Sequence, residues 1–266
     1  MPDDTELPEA YYLPRGDGVF DATRATESPW DPAAQHGGPP SALLAHVIDA
    51  VDPRPGLRLG RITVEFLGVL PRSRVEVAAR VTRPGRRIRM LEATMRADGR
   101  EIALARAWQI ATRPEADVPD PAAGPPATVP DVPPHRFFAD QLGPWGYGES
   151  IEWRLADGAR LGHGEAKVWT RVRIPLVAGE PLRDVDRAVV IADSVNGVGA
   201  ALPLDEWLFV PPAMTLTLHR HPRGEWVALD ARTKLAADGL GSTLGVLSDQ
   251  TGELGTVTQP LLVTPR

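Results

Sequence analysis

Asp193 stands in an apolar run, Ala188-Val189-Val190-Ile191-Ala192, which continues after it with Val195 and Val198. An unpaired charge is costly to bury, and burial raises a carboxyl pKa. Two readings account for the residue: a general base that takes a proton from water, or a structural carboxylate satisfied by nearby N–H groups. A second candidate group is Arg86-Arg87, beside the Pro84-Gly85 turn in a half rich in strand arginines (72, 74, 83 and 89). Guanidinium groups pair bidentately with phosphate oxygens; the alternative is the solvated tip of a hairpin. The histidines at 36, 46, 135, 163, 219 and 221 show no metal-ligand spacing, and His219 and His221, two apart on one strand, read as a solvated face. There is no Gly-x-Ser-x-Gly elbow, phosphate loop or Gly-x-Gly-x-x-Gly turn, which disfavours serine-hydrolase chemistry and nucleotide-binding folds.

The elements that must position these residues follow from periodicity and punctuation. Pro114, Pro119, Pro121, Pro125, Pro126, Pro130, Pro133 and Pro134 crowd one stretch. Fixed φ angles and missing N–H donors exclude a helix or central strand there, so 114–134 is expected to link an N-terminal domain, 1–113, to a C-terminal domain, 135–266. In the first half Leu43, Leu44, Val47, Ile48 and Val51 recur at helical spacing behind Gly37-Gly38-Pro39-Pro40-Ser41, predicting a helix of about three turns. The period then becomes two, with Ile62, Val64 and Phe66 and later Val75, Val77, Ala79 and Val81 alternating with their neighbours. The second half repeats the order: a strand near 167–174, a helix over 188–198 closed by Gly197 and Gly199, then strands at 213–220, 225–235, 241–249 and 254–263. The closing segments Leu104–Gln109 and Leu254–Gln259 correspond, and duplication is the economical explanation. The fold class is α+β, a tandem pair of units in which a curved antiparallel sheet wraps a central helix; one continuous β-sandwich is the rival.

Apolar residues make up 42% of the 266 residues and charged residues 24%, a composition able to bury two cores. No run reaches the roughly 18 apolar residues of a membrane span, and Met1-Pro2-Asp3-Asp4 is acidic where a signal peptide is basic, so a cytosolic address without membrane partner is expected. Cysteine is absent, removing thiol nucleophiles and disulfides. A net charge of -6 argues against nucleic acid as a partner.

Several motifs, in order along the chain, give a resemblance. They are Ser28-Pro29-Trp30, His36-Gly37-Gly38, Ala192-Asp193-Ser194, Leu218-His219-Arg220, Gly239 to Ser242, Asp249 to Gly252 and Gln259 to Leu262. Together they resemble the acyl-CoA thioesterase II-like family of double-hotdog proteins, over most of the chain outside the linker.

The resemblance implies hydrolysis of an acyl-CoA to CoA and a free carboxylic acid, with no metal or other cofactor, in lipid metabolism, by a homo-oligomer such as a dimer. The family's catalytic carboxylate falls on Asp193 and its glutamine on Gln259, whose amide would orient the water; a strand-end amide facing solvent is the alternative. His36, Gly37 and Gly38 would bind substrate, with helix-end N–H groups polarising the thioester carbonyl; equally, the glycines suit a close approach of elements. Arg86 and Arg87 would meet the CoA phosphates. One departure stands out: Pro211 occupies the place of the family's third polar residue, and Thr215 is the expected substitute. Two rivals follow, a silent acyl-thioester binder and a hotdog hydratase or dehydratase. The latter commonly uses an Asp/His pair, and the sequence shows no histidine adjacent to Asp193.

Overall fold

The computed structural model describes residues 6–116, 118 and 127–266. The period-two runs become strands because alternate side chains then reach a single buried face. The first half runs β1 (Tyr12–Gly16), β2 (Val19–Ala22), α1 (Gly38–Ala50), β3 (Leu57–Phe66), β4 (Arg74–Arg83), β5 (Ile88–Ala97) and β6 (Arg100–Ala111). Two short helices follow, α2 (Ala139–Leu142) and α3 (Gly146–Glu149). The second half then runs β7 (Ile151–Leu155), β8 (Glu165–Val172), α4 (Asp184–Ala192), α5 (Val195–Val198), β9 (Trp207–Val210), β10 (Ala213–Leu218), β11 (Trp226–Leu235), β12 (Leu240–Asp249) and β13 (Gly252–Pro265).

The sheet order is β1-β2-β4-β5-β6-β3-β10-β13-β12-β11-β8-β7, with β9 added on β13. Outward from the β3–β10 junction the two sides match strand for strand: β6 with β13, β5 with β12, β4 with β11, β2 with β8 and β1 with β7. Each half also places its long helix between its second and third strands, apart from the added β9. This is the expected tandem hotdog. Leu104–Gln109 and Leu254–Gln259 lie on the corresponding strands β6 and β13. Hairpins join the strands where the chain turns left-handed, as at Asp98 (φ 49°) and Gly99 (φ 74°).

Helix α1 buries Leu43, Leu44 and Ile48 completely and packs on β4, β5 and β6 of its own half and on α4 of the other. The second helix differs from expectation. It is not continuous over 188–198: α4 ends at Ala192, Ser194 N–H turns back to Ile191 O at 3.0 Å, and α5 restarts at Val195. A tight turn of this kind lets Asp193 and Ser194 send their polar side chains to partners outside the helix. Strands β1, β2, β7 and β9 are too short or irregular to stand out in the sequence. The expected linker at 114–134 falls in part, at 117 and 119–126, outside the described residues. No helix among the described residues is long and apolar enough to cross a membrane.

Candidate active site

Asp193 caps the C-terminus of α4 and is only 4% exposed. Its Oδ1 accepts a hydrogen bond from Gln259 Nε2 at 2.7 Å. Gln259 lies on the inner face of β13, and its Oε1 is buried with no partner among the described residues. An unsatisfied buried acceptor beside a carboxyl is a place for a polar atom of a ligand or a water. Burial pushes the Asp193 carboxyl up to about 8, against the opposing effect of the Gln259 and Gly37 hydrogen bonds. His36 Nδ1 stands 3.3 Å from Asp193 Oδ2, and burial pushes the imidazole down to about 3. Both shifts favour the neutral forms of the two side chains.

Close approach of α1 to the end of α4 creates the pair. A Cβ on Gly37 would lie 2.7 Å from Asp193 Oδ2 and 2.8 Å from the Phe66 ring, and one on Gly38 would collide with the Val190 carbonyl. Glycine at both positions is what lets the elements meet. Tyr147 holds the other side: its ring stacks on His36 at 3.9 Å, and its hydroxyl donates to Val190 O at 2.8 Å and shares a 2.7 Å bond with Ser194 Oγ. Tyr147 carried no sequence signal, since a tyrosine after a Pro-rich stretch looks like any other.

Beside Asp193 and His36 lies a cavity of about 250 Å³, walled by Trp30, Phe66, Phe138, Leu142, Trp145 and Phe209 among others. Its lining is chiefly apolar, with a few convergent polar groups at one place, the usual form of a small-molecule site.

Asp193, Gln259, His36, Gly37 and Gly38 are brought together; four other expectations meet a different geometry. Thr215 pairs with Thr63 and Thr258 on the outer face of the sheet and shares a 3.0 Å bond with the Thr63 hydroxyl. Its neighbours Met214 and Leu216 are the ones that point inward, so it does not replace the missing polar residue, and Pro211 itself lines the cavity. Arg86 and Arg87 are exposed between β4 and β5, and Arg87 O accepts from Ala111 N–H. Arg89, two residues beyond that tip, reaches the carbonyls of Val51 and Asp52 just after α1, whereas Asp193 meets the N-terminal end of α1 at Gly37. A histidine does stand beside Asp193, supplied by the other half of the chain. The expected carbonyl-polarising N–H groups are engaged, Gly37 with Asp193 and Gly38 with His36 Nδ1 at 3.1 Å, and Pro39 and Pro40 have none.

The duplication produces a second Asp–Gln pair with different surroundings. Gln109 Nε2 donates to Asp49 Oδ1 at 2.6 Å, as Gln259 does to Asp193. Gln109 Oε1, however, accepts from the buried Arg89 at 2.6 Å, and Asp49 faces Arg183 at 3.5 Å. Gln109 is thus bonded at both ends of its amide, while Gln259 has a buried acceptor without a partner among the described residues and Asp193 lines the apolar cavity.

Comparison with known proteins agrees with this architecture. The sequence profile of the acyl-CoA thioesterase C-terminal domain matches residues 121–263, and that of the acyl-CoA thioesterase N-terminal domain matches 26–110. No curated protein matches the chain by sequence. Among solved structures, the chain is similar to the tesB protein of Mycobacterium avium subs paratuberculosis, at 16% identity and TM-score 0.68 over 96% of each chain. It is also similar to acyl-CoA thioesterase II TesB2 of Mycobacterium marinum, at 17% identity and TM-score 0.66 over 96% of this chain and 95% of that one. A conserved protein of unknown function with a hot dog fold from Alicyclobacillus acidocaldarius gives 19% identity and TM-score 0.68 over 93% and 92%. At these identities the likeness establishes the fold.

Proposed function

The chain belongs to the acyl-CoA thioesterase family, and from that premise we propose that it hydrolyses acyl-CoA thioesters with water activated by Asp193. The observation that carries this reading is the buried Asp193 carboxyl, which lines an apolar cavity and is bonded to Gln259, whose Oε1 is buried without a partner among the described residues. The acyl group enters the cavity and its carbonyl carbon stands near the carboxyl. Once Asp193 has lost its proton, it accepts one from a water that Gln259 Oε1 holds by the other hydrogen. The resulting hydroxide adds to the carbonyl, and the tetrahedral intermediate collapses with release of the CoA thiolate and the carboxylic acid. No metal and no covalent enzyme intermediate enters this scheme. Release of thiol from a panel of acyl-CoAs, followed colorimetrically, tests it; no release from any member would retire the reading.

A second reading has one observation in its favour. His36 Nδ1 lies 3.3 Å from Asp193, and an Asp/His pair suits addition of water to an enoyl thioester. Loss of enoyl absorbance from an enoyl-CoA without thiol release would select it. Pro211 at the cavity wall leaves one fewer polar group than the family pattern, and binding of acyl-CoA with neither reaction would mark a silent binder.

A further inference from the structure

Three aromatic side chains on the segment before and after α2 partition the space around the site. Phe138 lines both the cavity beside Asp193, about 250 Å³, and a second cavity of about 380 Å³ that contains His135, Arg136, Arg160 and His163. Phe137 and Trp145 line the first cavity and a third of about 790 Å³ on their far side. Phe137 is fixed by stacking on Trp153 at 3.9 Å and lies 4.4 Å from the Phe138 ring, and Trp145 Nε1 donates to Phe137 O at 3.2 Å.

Phe138 breaks the local rules of its position. It has φ 54° and ψ 8°, in the left-handed region, and it directly precedes α2 without any side-chain cap. Glycine or asparagine suits such a backbone, and Ser, Thr, Asp, Asn or Gly suits such a cap. A bulky aromatic there is an outlier, and its ring is buried, only 5% exposed. It faces Gly197, where an added Cβ would meet the Phe137 and Phe138 rings at 3.6 Å, an ordinary contact. Backbone strain kept at a cavity wall marks a place where the ring is retained for the cavity.

We infer that Phe138 is the specificity-determining wall of the acyl cavity, restricting the substrate to compact acyl groups, short, branched or aromatic, and excluding long straight chains. The inference rests on the thioesterase reading. A cavity of about 250 Å³ falls below the ~300–1,000 Å³ of sites for drug-sized ligands, and its aromatic walls match a compact apolar body. Behind Phe138 the next cavity is lined by Arg136, Asp140, Arg160 and two histidines beside Leu155 and Leu161, so the ring separates a chiefly apolar compartment from a mixed polar one.

The test is a comparison of kcat/KM for butanoyl-, phenylacetyl- and palmitoyl-CoA in the wild type, Phe138→Gly and Gly197→Ala. The wild type should favour the two compact acyl groups. Phe138→Gly, whose backbone accepts the left-handed conformation, should raise the palmitoyl-to-butanoyl ratio by about tenfold or more, the scale on which an apolar pocket discriminates size. Gly197→Ala should lower the phenylacetyl-to-butanoyl ratio by narrowing the same cavity. A wild type that favours palmitoyl-CoA, or ratios unchanged in folded Phe138→Gly, would overturn the inference; if Phe138→Gly does not fold, an unchanged ratio in Gly197→Ala overturns it alone. Absence of thiol release from every acyl-CoA retires the thioesterase reading instead. Calorimetry then decides the wall, with palmitoyl-CoA expected to bind Phe138→Gly at least about tenfold tighter than wild type and equal affinity counting against it.

Discussion

Gln259 donates to Asp193 across 2.7 Å from 66 residues further along the chain, and the acceptor end of its amide is left unbonded among the described residues. In the matching pair of the first half, Gln109 bonds Asp49 at one end and Arg89 at the other. The same two residue types therefore pair in both halves, and the third partner is what differs between them.

Asp193→Asn keeps the size of the side chain and much of its hydrogen bonding but cannot take a proton. Turnover of acyl-CoA should fall by on the order of 10²-fold or more, the usual consequence of losing a general base. Steady-state thiol release measures this, and full wild-type kcat in the variant would sink the mechanism.

Activity should rise with pH. With the Asp193 carboxyl at about 8, the base form is scarce below that value, so kcat/KM should climb through pH ~8 and level off above it. Stability should move in the opposite direction on this account. The folded chain holds the Asp193 proton between the ordinary 3.8 and about 8, whereas the unfolded chain has lost it. Rising pH therefore removes up to about 1.4 kcal/mol of stability per unit across that window. His36, depressed from 6.5 to about 3, acts in the reverse sense between those values, adding stability as pH rises. Chemical denaturation from pH 6.5 to 8 should thus show wild type losing stability relative to Asp193→Asn; parallel curves would contradict a raised Asp193.

The two glutamines should separate function from stability. Gln259→Ala should lower kcat by about tenfold, equivalent to ~1.4 kcal/mol in the barrier, because it positions water without exchanging a proton. Gln109→Ala leaves the Arg89 guanidinium short of a buried acceptor and should cost about 1–3 kcal/mol of stability with turnover intact. Denaturant melts alongside kinetics distinguish them, and equal kinetic damage from both variants would show that the first-half pair takes part in the reaction.

Leu44 on α1 is fully buried between the sheet and α4. Leu44→Asp places an unpaired charge in that core and should prevent soluble expression. Unchanged melting of this variant would mean the helix does not hold the fold together.

Local patterns carried the element order, the duplication, the helix start at Gly37-Gly38 and the oddity of Asp193 in an apolar run, because spacing and glycine punctuation are properties of neighbouring residues; Gln259 and His36 were indicated by the family resemblance alone. Long-range register decided the rest. Thr215 sits on the expected strand, but pairing with Thr63 and Thr258 turns it to the outer face. Arg86 and Arg87 occupy the expected turn, yet the sheet carries that turn to the far end of α1. His36 is 157 positions from Asp193 in the numbering and becomes its neighbour only because Gly37 and Gly38 let two helices from different halves touch. The raised carboxyl of Asp193 and the left-handed Phe138 belong to the same class: both depend on what surrounds a residue in space, and spacing along a chain does not encode solvent exclusion.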